Sequence, residues 1–179
     1  MVAILEDEAR KADYVTVVEP PNHGTLAGKK RVDLMLDDGQ TKTAFHVTVT
    51  TIYSTEFRKL LMTKRPNVST LRASAAKDRK YTEELARHGI VFRDLALTVH
   101  GGMSSSTQSL ISHIAKRQLR RHHPDEGLTH RDIIMGIRSR IANCIAKHTW
   151  PVADKIAHAA ASGTLPDFVE DDSSGFILH

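Results

Sequence analysis

The chain has 179 residues, of which 40% are hydrophobic and 26% are charged, and this length and composition suit one ordinary hydrophobic core. Its single cysteine, Cys144, excludes a disulfide framework and a multi-cysteine metal site. The longest apolar runs are too short to cross a bilayer, and the acidic first residues do not resemble a secretory signal. We therefore expect an intracellular protein without a membrane partner.

The charge is unevenly distributed along the chain. From Thr164 onward there are four acidic residues and no lysine or arginine, so removing these acids from the formal net charge of +4 leaves +8 for residues 1–163. A basic body is compatible with a phosphate-rich partner, because neutralising phosphates releases counterions, and also with an ordinary solvated surface. We predict one domain over residues 1–163 and a flexible acidic tail at 164–179.

The first half of the chain predicts a helix followed by three strands. Ala3 to Ala12 is short, polar and compatible with a helix. Three runs with strand character follow, at Tyr14–Val18, Arg31–Leu36 and Thr43–Ile52. Pro20 ends the first run because proline cannot donate to a strand ladder, and Asp37-Asp38-Gly39 after the second run is a hairpin signal.

The second half predicts a helix, a strand and further helices. The helix covers about 68–88 and ends at Gly89, and the strand covers Ile90–Val99. A helix capped by Ser104 or Ser105 then precedes a last helix over Thr129–His148 and a short Ala-rich segment. The order of elements predicts an α/β fold with a small mixed central sheet flanked by helices and extra C-terminal helices.

A candidate site follows from two predicted neighbouring strands. Asp33 lies on the second, and His46 on the third could point at the same spot, because side chains alternate along a strand. Metal-assisted phosphodiester hydrolysis needs carboxylates to hold the ion and a basic group near the phosphate. Asp33 is the first candidate ligand and Glu19, at the end of the first strand, is the second. Lys77 or Lys80 on the following helix could reach the phosphate.

Several segments, in their order and spacing, resemble the restriction-like endonuclease domain of non-long-terminal-repeat retrotransposons, a part of the PD-(D/E)XK nuclease superfamily. These segments are Arg31-Val32-Asp33, Phe45–Val49, Lys77–Tyr81, Gly89–Phe92 and Thr98–Gly102. The resemblance covers residues 10–120 approximately. It implies a restriction-endonuclease-like nuclease core at about 1–122, a helical extension at about 125–163, and DNA cleavage with Mg²⁺ or Mn²⁺. It also implies a nuclear location, and a reverse transcriptase elsewhere in the full element.

The resemblance assigns roles residue by residue. Asp33 matches the aspartate of the Pro-Asp motif, with Val32 in place of the proline, and Glu19 matches an acidic residue before proline in the first strand. Tyr81 matches a Lys-Tyr pair on the helix. In this assignment Asp33, Glu19 and His46 hold the metal.

The sequence departs from the motif at two positions. His46 falls at the second acidic position, and Thr48 falls at the place of the strand lysine, so Lys77 or Lys80 would substitute for that lysine. A neutral imidazole suits manganese or zinc better than magnesium. The site is thus predicted to be changed in metal preference or inactive. In a simpler interpretation, His46 is a polar residue on a half-buried strand and Asp33 caps a turn or pairs with Arg31.

A basic cluster is the strongest candidate for phosphate contact: Lys116, Arg117, Arg120 and Arg121. It could equally be a basic helix C-terminus favoured by the helix dipole. Three functions remain open: a metal-dependent endonuclease, a non-catalytic module that binds DNA or RNA, and a protein-interaction domain using the isoleucine stripe from Ile133 to Ile145. No small-molecule cofactor is expected.

Overall fold

The computed structural model describes residues 1–20, 32–50, 81–99, 101–122 and 127–161. These ranges contain four strands: β1 (Val15–Val18), β2 (Leu34–Asp37), β3 (Lys42–Thr50) and β4 (Ile90–Thr98). They also contain four helical segments: α1 (Val2–Lys11), α2 (described over residues 81–86), α3 (Ser105–Leu119) and α4 (His130–Ala161). The start predicted for the helix at about 68–88 lies outside the described residues.

The strands form one mixed sheet in the order β1-β2-β3-β4. β1 pairs antiparallel with β2 and β2 antiparallel with β3, whereas β3 and β4 are parallel over nine positions, from the pair Lys42–Ile90 to the pair Thr50–Thr98. Parallel neighbours need a crossover connection, and α2 lies within it. The predicted small mixed sheet flanked by helices is confirmed.

Helices cover both faces of the sheet. On one face, α1, α3 and α4 pack against the sheet in a single large hydrophobic cluster that includes Leu34, Phe45 and Leu95. On the other face α2 packs through Tyr81 and Leu85 in a smaller cluster. His46 and Asp94 lie on this second face, since Tyr81 stacks on the His46 ring and Asp94 is the register partner of His46. The candidate site therefore lies between the sheet and α2.

Two helix ends agree with their sequence signals. Gly89 follows α2 with φ +69, a conformation that suits glycine after a helix. Ser104 caps α3, because its hydroxyl oxygen accepts a hydrogen bond from the backbone N–H of Thr107 at 3.3 Å. No helix in the described part of the chain is long and apolar enough to cross a membrane.

The isoleucine stripe of α4 is buried in the core. Ile133, Ile137, Ile141 and Ile145 all belong to the large cluster that contains the strand residues. An interaction domain that presents this stripe to a partner is therefore not supported, because these side chains already pack inside the protein. The helical extension shares its hydrophobic core with the predicted nuclease core.

The last helix is longer than predicted. It was expected to end at His148, but it continues through Pro151 to Ala161. A proline has no N–H for the carbonyl four residues earlier, yet its fixed φ is close to the helical value, so the backbone can continue at the cost of that bond. In the preceding turn the hydroxyl of Thr149 donates to the carbonyl of Ile145 at 2.9 Å.

Candidate functional site

Asp33 is bound to β3 by its backbone and by its side chain. Its N–H donates to the carbonyl of Phe45 at 2.9 Å, and one carboxylate oxygen, Oδ2, accepts from the N–H of Val47 at 2.6 Å. Its own carbonyl accepts from the N–H of Glu19 at 2.9 Å. The carboxylate is a third exposed and lies at the edge of the site. Its position is therefore fixed by two hydrogen bonds with β3 and one with the residue that follows β1. The alternative partner Arg31 lies outside the described residues.

His46 stands between two carboxylates. Its Nδ1 lies 3.8 Å from Oδ2 of Asp33 and 3.6 Å from Oδ1 of Asp94. Asp94 is the register partner of His46 on the parallel strand β4, and its side chain is fully buried. The predicted proximity of Asp33 and His46 is therefore found in the structure, and a second carboxylate accompanies them.

Thr48 connects His46 to Asp94 through hydrogen bonds. The hydroxyl of Thr48 donates to Oδ1 of Asp94 at 3.2 Å, and Nδ1 of His46 lies 3.2 Å from the same hydroxyl oxygen. A threonine hydroxyl has one proton. Because that proton goes to Asp94, Nδ1 of His46 must be the donor in its own contact. In this tautomer Nδ1 carries the proton, and the lone pair of the neutral ring lies on Nε2.

Tyr81 covers the site from α2. Its ring stacks on His46 with centroids 6.0 Å apart and on Phe92 with centroids 5.0 Å apart. Burial raises the pKa of the Tyr81 hydroxyl, and the negative charges of Asp33 and Glu84 raise the same pKa further. Tyr81 therefore keeps its proton at neutral pH and can donate a hydrogen bond there. Its role in the sequence analysis rested only on the resemblance, and the structure places it directly against His46.

The described residues do not form a preassembled metal site. Among them, no group of three His, Cys, Asp or Glu side chains is arranged to hold a metal ion. Glu19 has an exposed side chain and a backbone φ of +45 where β1 ends. The predicted ligand set of Glu19, Asp33 and His46 is therefore not assembled, and the proton on Nδ1 of His46 opposes ligation by that nitrogen. Lys77 and Lys80 lie outside the described residues, and their catalytic role stays a prediction.

The basic cluster divides into two pairs with different environments. Arg117 donates from Nε to the carbonyl of Ala12 at 2.9 Å, and Arg121 donates to the carbonyl of Lys11 at 3.0 Å. These carbonyls lie at the C-terminus of α1, where they have no partner within the helix and where positive charge is favourable. Arg117 and Arg121 therefore cap α1.

Lys116 and Arg120 are exposed. Their side chains make no hydrogen bond or salt bridge with any residue in the described ranges. Four residues were predicted to contact phosphate. Lys116 and Arg120 are the two of them that make no structural contact with the described residues, so nothing there competes with phosphate binding.

Asp94 is the site residue that the sequence analysis missed. Its signal was a lone acidic side chain in the otherwise largely apolar strand Ile90–Thr98. That signal could not be assigned to the site, because the register between β3 and β4 is not encoded in either strand alone. In comparisons with known proteins, no family profile matches this chain and no curated protein is detectably similar to it.

Proposed function

We propose that this chain is a restriction-endonuclease-like domain that binds DNA and does not cleave it. The observation that carries the proposal is the state of His46, which occupies the second acidic position of the family motif. Its Nδ1 proton is engaged with Thr48, and Thr48 in turn donates to the buried Asp94. This network supports a structural role for the histidine beside a buried carboxylate, and among the described residues no group of three possible metal ligands is present.

The exposed end of α3 supports binding to DNA. Lys116 and Arg120 are one helical turn apart, and the sequence from Val99 to Pro124 contains no aspartate or glutamate. Cations that face solvent without acidic neighbours suit phosphate contact, which positions a protein on DNA without reading its sequence. Arg117 and Arg121 support this surface indirectly, because they hold α3 against α1.

The binding surface is tested by removing its two free cations. Lys116→Gln combined with Arg120→Gln should weaken binding to duplex DNA for every sequence and reduce the slope of log K against log salt by about 2. Fluorescence anisotropy over a salt series measures both quantities. Arg87→Gln combined with Arg93→Gln removes the same charge from other exposed positions and should leave the slope nearly unchanged. If the two double variants changed the DNA affinity and the salt slope equally, the proposed binding surface on α3 would be refuted.

Catalysis is tested by incubating supercoiled plasmid with the protein in magnesium and, separately, in manganese. We expect no nicking above that seen with Asp33→Ala, together with DNA binding that weakens as salt is added. Nicking that both Asp33→Ala and Lys77→Ala abolish would refute the non-catalytic proposal.

The second candidate is a metal-dependent DNA endonuclease of retrotransposon origin. One observation favours it: two carboxylates, Asp33 and Asp94, lie within 3.8 Å of the same His46 nitrogen. In that case Lys77 or Lys80 would polarise the phosphate or orient water, and nicking would be the deciding result. Among the described residues, no group of three possible ligands is arranged to hold the ion that this activity needs.

A further inference from the structure

A groove runs between α4 and the residues that follow β4, which are Val99 and Gly101 to Met103. It consists of a cavity of about 380 Å³ beside Arg138 and a second of about 300 Å³ beside Trp150. The two cavities share Gly101, Ala142 and Ile145 in their walls, so they adjoin. We name this feature the α4 groove. Arg138 and Trp150 are twelve residues apart, which on a helix corresponds to about 18 Å.

Arg138 lines the groove, and it carries a buried donor without a partner. Its Nε is the one buried side-chain nitrogen or oxygen in the described part of the chain that lacks a hydrogen-bond partner. A buried donor without a partner costs free energy, and such a group calls for an explanation. Arg140, two residues later, differs because it is paired with Asp7 and Glu8. No described residue pairs with Arg138, so this arginine brings to the groove a cation that could bind an anionic ligand.

The rest of the groove is apolar and open. Trp150, the only tryptophan of the chain, is 76% exposed at one end. Gly101 has φ +84, and, apart from its chain neighbours, no atom of the described residues lies within 4 Å of a β-carbon built on it. Among the described residues, none of those that line the two cavities is acidic. The groove thus combines a cation at Arg138, an exposed aromatic ring at Trp150 and uncharged lining residues between them.

We propose that the α4 groove binds a single-stranded segment of nucleic acid, with a phosphate at Arg138 and an unstacked base on Trp150. This inference rests on the proposed function and names the form of nucleic acid that this second surface accepts. Base–aromatic stacking beside a cation is the usual chemistry of single-strand binding. A duplex keeps its bases stacked inside and could not place one on the Trp150 ring. The partner is thus distinguished from the duplex that Lys116 and Arg120 contact.

The test uses the intrinsic fluorescence of Trp150, since no other tryptophan contributes to it. Short oligothymidine should quench this fluorescence saturably, and Arg138→Gln should reduce the affinity several-fold. Arg93→Gln, an exposed arginine near the start of β4, is the charge-matched control and should bind like the parent protein. With a labelled oligonucleotide, Trp150→Ala should weaken binding about ten-fold or more, whereas Trp150→Phe should recover most of the affinity.

The outcomes distinguish a failure of the groove inference from a failure of the proposed function. Absence of quenching, with duplex binding through Lys116 and Arg120 intact, would overturn the groove inference alone. Quenching that depends on Arg138, without any duplex binding, would support the groove and refute the α3 surface. Stronger quenching by an acidic apolar peptide than by oligothymidine would overturn the choice of ligand. Unchanged thermal unfolding of the variants, expected because Trp150 is exposed, excludes misfolding as a cause.

Discussion

Replacing His46 with aspartate is expected to lower the free energy of unfolding by about 3 kcal/mol at neutral pH, because it creates an uncompensated charge beside a buried carboxylate. The new side chain would lie between Asp33 and Asp94, whose oxygens are 3.8 Å and 3.6 Å from the present Nδ1. It would also remove the ring N–H that donates to Thr48. Like charges in a poorly solvated position cannot all ionise without a large energetic cost.

Urea denaturation measures this effect, and a double-mutant cycle assigns it. Adding Asp94→Asn to His46→Asp should recover most of the lost stability, since it removes the fully buried charge. His46→Asn, which is neutral, should cost less than His46→Asp. A coupling between positions 46 and 94 of more than about 1 kcal/mol is expected for groups in one network. If Asp94→Asn gives no recovery, the buried carboxylate does not cause the destabilisation.

This result also changes how the proposed descent from a nuclease would be tested. His46→Asp alone adds a carboxylate but also lowers stability. An absence of nicking by this variant would therefore carry little information about descent from a nuclease. The double variant His46→Asp, Asp94→Asn places a carboxylate at the second acidic position of the motif that the sequence resembles. It also removes the buried carboxylate at position 94, so the number of negative charges in the site does not rise. Metal-dependent nicking by this double variant, absent in the parent protein, would support descent from a nuclease.

Replacing Glu8 with alanine is expected to cost about 3 kcal/mol of unfolding free energy, because it leaves partners of a buried charge without their acceptor. The Glu8 side chain is 7% exposed. It accepts hydrogen bonds from Gln118 at 2.9 Å and Lys11 at 2.9 Å, and also one from Arg140. It therefore joins α1 to both α3 and α4. Glu6→Gln, which removes the ion pair of Glu6 with the exposed Arg10 within α1, is the matched control and should cost under about 1 kcal/mol.

The same residue predicts how stability depends on pH. Burial alone raises the pKa of Glu8, but the hydrogen bond from Gln118 and the contacts with Lys11 and Arg140 outweigh burial and lower this pKa below its ordinary value of 4.5. A lowered pKa gives stability that is present above pH 4.5 and is lost as pH falls through the folded-state pKa. Urea midpoints measured across this acidic range should fall more steeply for the parent protein than for Glu8→Gln. Parallel curves would contradict this assignment.

Local features of the sequence were good predictors of the elements. Strands β1 to β4 begin and end within a few residues of the predicted runs, because alternation, proline and the Asp-Gly turn are encoded within each segment. The same alternation predicted that Asp33 and His46 share a location, since β2 and β3 are joined by a short hairpin. The strand positions predicted from neighbouring residues are therefore confirmed.

Features that depend on distant segments could not be predicted. Asp94 reaches His46 only through the parallel register of β3 and β4, and Arg117 reaches the carbonyl of Ala12 across 105 positions of sequence. No periodicity or spacing within α3 indicates which helix end its arginines will cap. The continuation of α4 past Pro151 was missed for another reason, because packing of the helix can override a local stop signal.

The parallel pairing of β3 and β4 has a consequence for the order of folding. The hydrogen bond between Thr48 and Asp94 joins residues 46 positions apart, and it requires the crossover connection between the strands to be in place. Closing the long loop between β3 and β4 costs conformational entropy before the contacts between the two strands can offset that cost. The His46 network should therefore form late, after the local β2–β3 hairpin, and substitutions in it should mainly accelerate unfolding while folding rates stay nearly constant. The charged groups of the candidate site therefore stabilise the sheet after it has formed, and they do not nucleate it.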